Sequence, residues 1–433
     1  LVVRLNARFD RHDSRDKSPT PARPCAGPCA TVVCAGLQDT RHHRRGWKLV
    51  DHSAPKRTPS RACLRHGEQQ TELSFAWLLD HAKENREPGT SQRRVRISQF
   101  GAAESGLRPL EVRTEDGALE IRWPESVERH GGSRIARFVV SELMDAAAGA
   151  HPLDRRVAWG ARLFSQEGHP TVAAAELRSE EGLRGALLRL RDYGVLRLRE
   201  MPSASGETRE LVERIGEVLP TFYGEMWSTR AETGQTEGVS DTAYSNAGIR
   251  PHTDGTYFRD PPGLQVLNCV QRAARGGETM LVDGLSVARR MAEEEPAAFD
   301  YLSRTPLPWF SYDEGRLPVR LSQREVALRL DGKGALEQLR FNEYDRGDMH
   351  PADFGEFLPH WCALVAMTNR EELVLRTLLQ PGECLIVNNH RVMHGRTSFV
   401  DAEGAERKMI GCYLSRDALD SRLRSTGLLE MCG

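Results

Sequence analysis

The sequence predicts a mainly β protein with α-helices: a jelly roll (double-stranded β-helix) over residues 151–433, preceded by a small β-rich N-terminal domain over 71–150 and by an unstructured or targeting extension over 1–70. Three observations predict it. Short apolar runs recur in the second half at irregular spacing with long insertions, which suits a jelly roll better than a parallel sheet. Stretches between 93 and 143 alternate apolar and polar residues, the period of half-buried strands. Residues 1–70 carry 14 Lys/Arg against 6 Asp/Glu, many Pro, Ser and His, and no hydrophobic period.

Taken in order, the extension reads as a disordered tail or as a mitochondrial-type transit segment, which should be rich in Arg and Ser and poor in acid. Four Asp before residue 50 count against transit. A chain opening on Leu1 is expected to be a fragment, a processed form or a translation from an uncertain start. SFAWLLDHA (74–82) is apolar and aromatic and breaks at Pro88-Gly89. RRVRISQF (93–100), LEVRTEDGALEIRW (110–123) and ARFVVSEL (136–143) contain strand-type alternation. Asp-Gly inside TEDGA supplies a tight hairpin turn, and Pro124 ends the second strand. Beyond a link at 151–175, SEEGLRGALLRLRDYG (179–194) has a Ser N-cap, acids in its first turn and a Gly stop, so it reads as a helix. GVLRLREM (194–201) reads as a strand and ETRELVERIGEVL (207–219) as a second amphipathic helix. The apolar strands that follow are GLQVLNCV (263–270), TMLVDG (279–284), ECLIVNN (383–389) and MIGCYL (409–414), interrupted by a helical stretch at 351–370.

Composition narrows the function classes. Formal net charge is −1, which disfavours phosphate-backbone binding, so no nucleic-acid partner is expected. The longest apolar stretch, near 29–37, is too short to span a bilayer, and no membrane association is expected. Nine scattered Cys, an odd count, argue for a reducing compartment rather than a secreted disulfide framework.

The strongest chemical signal is His252-Thr253-Asp254 with a distant His394 in RVMHGR. In a strand, residues i and i+2 share a face, so His252 and Asp254 can offer a nitrogen and an oxygen to one ion. His394 follows the apolar run ECLIVNN at a strand end. Two His and one carboxylate are the facial triad of non-heme Fe(II) oxygenases. Alone, H-x-D is a common chance pattern and marks a surface loop or a satisfied core histidine just as readily. Arg407, on the approach to MIGCYL, adds the fixed cation that a 2-oxoglutarate carboxylate needs. Without the triad beside it, Arg407 would read equally as a surface ion pair.

With these residues in place, 154–433 resembles the γ-butyrobetaine and trimethyllysine dioxygenase family of 2-oxoglutarate-dependent oxygenases. The strings that carry the resemblance are FYGEMW (222–227), DTAY (241–244), HTDGTYFRDPPGLQVLNCV (252–270), GGETMLVDG (276–284), LRFNEYDRG (339–347), NNHRVMHGR (388–396) and RKMIGCYLSRDAL (407–419). FAWLLDH and the strand ending IRWPE resemble the family's small N-terminal domain, extending the match to about 71–433. The resemblance implies that His252, Asp254 and His394 hold Fe(II) and that Arg407 binds 2-oxoglutarate, with Thr279 and Leu267 lining that pocket. It implies O₂ as co-substrate, ascorbate as reductant, and an aromatic cage of Tyr223, Trp227 and Tyr413 around a quaternary ammonium, which cannot donate a hydrogen bond and is held by aromatic faces. For these aromatics, ordinary core packing is the plain alternative. A homodimer with the small domain at the interface is also implied; the transit reading of the extension gives a mitochondrial location, otherwise a cytoplasmic one.

Asp241 in DTAY, where butyrobetaine enzymes have Asn, resembles the trimethyllysine branch. A carboxylate there would pair with an α-ammonium and repel a lone carboxylate. Tyr244 and Asn342 would then bind the α-carboxylate. A loop-capping role for Asp241 is the alternative. The implied reaction is C3 hydroxylation of Nε-trimethyllysine with release of succinate and CO₂, the first step of carnitine biosynthesis. A hydroxylase of γ-butyrobetaine or another small betaine is the second reading, and a catalytically silent ligand-binding jelly roll the third. Two departures stand out. Family members often place a zinc-binding Cys cluster after the WLRDH string, whereas WLLDHAKENREPG (77–89) has no Cys, so structural zinc is not expected; Cys25, Cys29 and Cys34 lack the spacing to replace it. Asn388-Asn389-His390 stands where the family has Asp-Asn-Trp; His390 is not expected to bind metal, because His394 fills that position, and loss of the Trp is expected to alter pocket packing or dimer contacts.

Overall fold

The computed structural model describes residues 2–6, 30–33, 61–66, 69–100, 107–148, 155–166, 168–229, 245–313, 318–403 and 406–429. It divides the chain into two compact units, Leu1–Asp154 with Cys432–Gly433, and Arg155–Met431.

In the first unit, strands Val2–Asn6, Ala30–Val33, Arg61–His66 and Gln69–Ser74 form an antiparallel sheet, and Glu111–Glu115, Ala118–Arg122 and Ile135–Val139 a second. Strands therefore occur within 1–70, where the sequence predicts an unstructured extension; the rest of that stretch lies outside the described residues. Arg61–His66 escaped notice because Arg and His flank the three residues that bury, Ala62, Cys63 and Leu64. The hairpin at 111–122 turns on Asp116 and Gly117, both at positive φ (49° and 77°), the twist a tight antiparallel turn requires. SFAWLLDHA becomes helix Phe75–His81, capped by the Ser74 hydroxyl accepting from Trp77 N. Two expectations differ. RRVRISQF is no strand: its end winds into a 3₁₀ turn, Ile97–Phe100, and only Arg93 pairs, with Arg86. ARFVVSEL is strand only to Val139 and then helix, Val140–Ala148, whose Val140, Leu143 and Met144 bury at helical rather than alternating spacing.

The second unit is sheet-rich with helices on the outside. One sheet runs in the order Met226–Ser228, Lys408–Leu414, Leu264–Gln271, Cys384–Asn388, Val195–Arg199 and Thr171–Ala173; only the last pair is parallel. The other runs Ile249–His252, Val392–Arg396, Thr279–Asp283 and Val374–Thr377, all antiparallel. Alternation assigns the faces. Leu385 and Val387 pack inward with Leu281, Leu375 and Val392 of the facing sheet. Cys384 and Ile386 face out against Leu187 and Leu190 of helix Glu180–Tyr193 and Leu419 of helix Arg416–Ser425. The other sheet's outer side, Met280, Val282 and Met393, meets Met291 of helix Gly284–Glu294 and Trp361 of helix Pro351–Thr368. Coverage on both sides explains the near-continuous apolar runs in the sequence. Helix Glu180–Tyr193 is bounded as its sequence dictates, with Ser179 accepting from Gly182 N and Gly194 left-handed at its end. The predicted second helix is shorter, Ser205–Val212, because 213–219 leaves helical conformation before Pro220.

Candidate active site

His252 and His394 are direct cross-strand partners. Their ring centroids lie 4.5 Å apart. Asp254 Oδ1 is 3.3 Å from His252 Nε2 and 3.6 Å from His394 Nε2. Ligands about 2.1 Å from an ion and at right angles stand about 3 Å apart, so both oxygen–nitrogen separations suit neighbouring ligands of one ion, and the three residues' ligand atoms all lie within 4.8 Å of one another. The donor set, two imidazole nitrogens and one carboxylate oxygen, also fits. His394 Nδ1 is buried without a hydrogen-bond partner among the described residues, whereas His252 Nδ1 lies 2.8 Å from the Arg250 carbonyl, so Nδ1–H donates there and Nε2 is left for a metal.

The placement differs from the expectation in two respects. The strand ends at His252, and Asp254 lies in the turn beyond it, not on the strand. Asp254 is instead fixed by Asn389, whose side chain accepts from Asp254 N (2.8 Å) and donates to its carbonyl (2.9 Å), while Thr253 N donates to Phe341 O. His394 sits mid-strand in Val392–Arg396, separated from Cys384–Asn388 by a turn.

Burial alone would protonate Asp254, but the two imidazoles and the Tyr413 hydroxyl outweigh it and hold its carboxyl below the usual carboxylate range. Burial pushes His394 down to about 4 and keeps it neutral. For His252 burial is overcome by the Asp254 hydrogen bond and charge, and its pKa rises. Without a metal, the triad thus carries a carboxylate and one neutral ligand imidazole.

A cavity of about 460 Å³ opens on the triad. Its wall gathers nearly every residue proposed from sequence: His252, Asp254, His394, Arg407, Thr279, Leu267, Tyr223, Trp227, Tyr413 and Asn342. Asp241 and Tyr244 lie outside the described residues. Tyr223 occupies a turn and Trp227 a strand, so they do not share one helix face. Trp227 and Tyr413 have ring centroids 6.1 Å apart at 45°. Asn342 is committed locally: its amide donates to Asp345 Oδ2 (2.9 Å) and its carbonyl accepts from Tyr344 N (2.9 Å). Arg407 is desolvated, which lowers its pKa, and its guanidinium lies 5.3 Å from the Phe399 ring. His390 stays outside the triad: it is buried, with Nε2 at 3.0 Å from the Pro261 carbonyl.

Sequence reasoning missed Gln265, Tyr257, Asp345 and Arg396 on the same wall. Gln265 had a visible signal, a polar residue inside an apolar strand. Tyr257, whose hydroxyl is 3.3 Å from that of Tyr223, and Asp345, which accepts from Thr256 at 3.0 Å, had none, because their loops are brought to the cavity by tertiary contacts.

Among curated proteins, the chain is 29% identical over 376 residues to trimethyllysine dioxygenase, mitochondrial, of Gallus gallus, covering 84% of this chain and 86% of that one. It is 29% identical over 370 residues to trimethyllysine dioxygenase of Meyerozyma guilliermondii, covering 80% and 88%. It is 28% identical over 270 residues to human gamma-butyrobetaine dioxygenase, covering 61% and 68%. Residues 154–413, the stretch holding the triad, the cavity and Arg407, match the model of the taurine catabolism dioxygenase TauD, TfdA family, and the chain belongs to that family.

Proposed function

We propose that the chain is an Fe(II)- and 2-oxoglutarate-dependent dioxygenase that hydroxylates Nε-trimethyllysine at C3. The observation that carries this reading is one cavity whose wall holds the His252–Asp254–His394 donor set, a half-buried Arg407 and an aromatic group. When bound, Fe(II) with 2-oxoglutarate and O₂ supplies the oxidising power: one oxygen atom enters the C–H bond, the other enters succinate, and CO₂ leaves.

The chain's residues aim that chemistry. His252, Asp254 and His394 would hold the ion on one face and leave the opposite positions open. Arg407 would take the far carboxylate of 2-oxoglutarate, with Thr279 and Leu267 beside it. Tyr223, Trp227 and Tyr413 would surround the trimethylammonium, and Asp241, Tyr244 and Asn342 the amino-acid end. Holding both charged ends fixes which carbon faces the metal. Asp345 adds a carboxylate to this wall, held by Thr256 and Asn342 on one oxygen. In trimethyllysine the α-ammonium is two bonds from C3, so it must lie close to the iron; γ-butyrobetaine carries only hydrogen at that place and would leave Asp345 without a cation to pair with.

The face-to-face sheets read as a double-stranded β-helix, with residues 71–150 supplying the small N-terminal domain. The mitochondrial location printed in the name of the Gallus gallus relative, and a homodimeric assembly, are extended to this chain as part of the same reading. Mass spectrometry of a turnover mixture tests the reaction: the full chain with Fe(II), ascorbate, 2-oxoglutarate and O₂ is offered trimethyllysine and γ-butyrobetaine in competition. Oxygen gained by trimethyllysine and lost in Asp254→Ala is the expected result. Oxygen on γ-butyrobetaine instead would keep the iron site and overturn the substrate assignment.

A further inference from the structure

Gln265 and Tyr413 are direct cross-strand partners on the inner face of the larger sheet, and both side chains reach Asp254. The Tyr413 hydroxyl donates to Asp254 Oδ2 at 2.8 Å, and Gln265 Nε2 donates to the same oxygen. The other oxygen, Oδ1, is the one that faces His252 and His394. A carboxylate only accepts, so the Gln265 amide must turn its nitrogen to Asp254, and its Oε1 is left buried with no partner among the described residues. That arrangement leaves a buried acceptor unsatisfied in order to keep a donor on Oδ2, as expected where a ligand's direction matters more than local stability. We infer that Tyr413 and Gln265 are positioning residues of the metal centre: they occupy Oδ2 so that Asp254 offers Oδ1 alone, which enforces one-oxygen ligation and preserves the open positions.

Tyr413 then has two duties. Its ring stands beside Trp227 in the substrate wall, and its hydroxyl fixes a metal ligand. The neighbouring row of the same sheet, Trp227–Gly411–Leu267, runs from the proposed cage to the proposed 2-oxoglutarate pocket. The inference rests on the iron-site reading above.

The test is Mn(II) affinity, a redox-inert readout independent of turnover, titrated calorimetrically into the full chain in the presence of 2-oxoglutarate. Tyr413→Phe removes one hydroxyl and keeps the ring; Gln265→Met keeps the shape and removes the donor. Outer-shell partners of metal ligands typically contribute about 10- to 100-fold in affinity, so each substitution should raise the Kd for Mn(II) by about 10-fold or more. Metal-free melting midpoints should stay at the wild-type value. If Tyr413→Phe lowers the metal-free midpoint, Gln265→Met decides. Wild-type Mn(II) affinity in both variants, with affinity lost in His394→Ala, overturns this inference and leaves the iron site standing. A wild-type chain that binds no Mn(II) overturns both.

Discussion

Gly411 is the position where the proposed substrate wall is most sharply testable. It pairs with Trp227 on one side and Leu267 on the other. A Cβ at 411 would lie 2.2, 2.3 and 2.5 Å from three atoms of the Trp227 indole, where ordinary contact begins at 3.4 Å. In Gly411→Ala the ring must therefore retreat by about 1.2 Å. Trp227 belongs to a three-residue strand at the sheet edge, so the strand can lift, at an overpacking cost of about 1–3 kcal/mol. A cation–π contact is worth about 0.5–2 kcal/mol, and losing it should raise KM for the trimethylammonium substrate by roughly 2- to 30-fold. The assay is the substrate dependence of hydroxylated product by mass spectrometry, with the 2-oxoglutarate KM and Mn(II) Kd measured alongside. The Mn(II) Kd should not move, because Gly411 pairs with no triad residue, and the 2-oxoglutarate KM should move less than the substrate KM, because the nearest clashes fall on Trp227 rather than on its other neighbour, Leu267. An unchanged substrate KM, together with a melting midpoint lowered as overpacking demands, would show that the Trp227 ring moved without mattering, and would refute its place in the cage.

Three further outcomes are expected. Arg407→Met should raise the 2-oxoglutarate KM by roughly 10- to 100-fold, the value of a charge-assisted carboxylate contact; succinate formation against 2-oxoglutarate concentration measures it, and an unchanged KM in Arg407→Met with a raised one in Arg396→Met would transfer the role to the neighbouring cavity arginine. Burial holds the folded His390 pKa down to about 4, against 6.5 when unfolded, so only the unfolded chain takes up that proton between pH 6.5 and pH 4. Stability is therefore lost as pH falls through that window, by at most about 3 kcal/mol from this residue, and His390→Gln should flatten the loss in pH-dependent melting; an equal slope in the variant would contradict it. Asn85 is 2% exposed, with Nδ2 donating to Leu79 O at 3.1 Å and Oδ1 accepting from Ser133 N at 2.8 Å. Asn85→Ala strands both partners and should cost about 2–3 kcal/mol in denaturant unfolding; a loss under about 0.5 kcal/mol would show that solvent replaces the amide.

The sequence by itself determined the apolar strands Leu264–Gln271, Thr279–Asp283, Cys384–Asn388 and Lys408–Leu414, the caps of helix Glu180–Tyr193, and the hairpin turn at Asp116-Gly117. These are local facts, carried by periodicity, capping groups and backbone freedom within a few residues. It also named the triad, since the two-His-one-carboxylate set is a chemical pattern. Only the tertiary structure decided how that set is built. Asp254 reaches the site from a turn because Asn389, on a distant loop, holds its backbone. Gln265 and Tyr413 converge on one oxygen because two strands far apart in sequence pair in a particular register, and a shift of one residue would turn both to the other face. Asp345 and Tyr257 arrive on loops with no periodic signature. RRVRISQF alternates like a strand, yet among the described residues it pairs only at its start, through Arg93 with Arg86 and Arg94 N with Asn85 O. Alternation tells which side chains can share a face; which faces meet depends on strand register and loop contacts between residues that no local window contains.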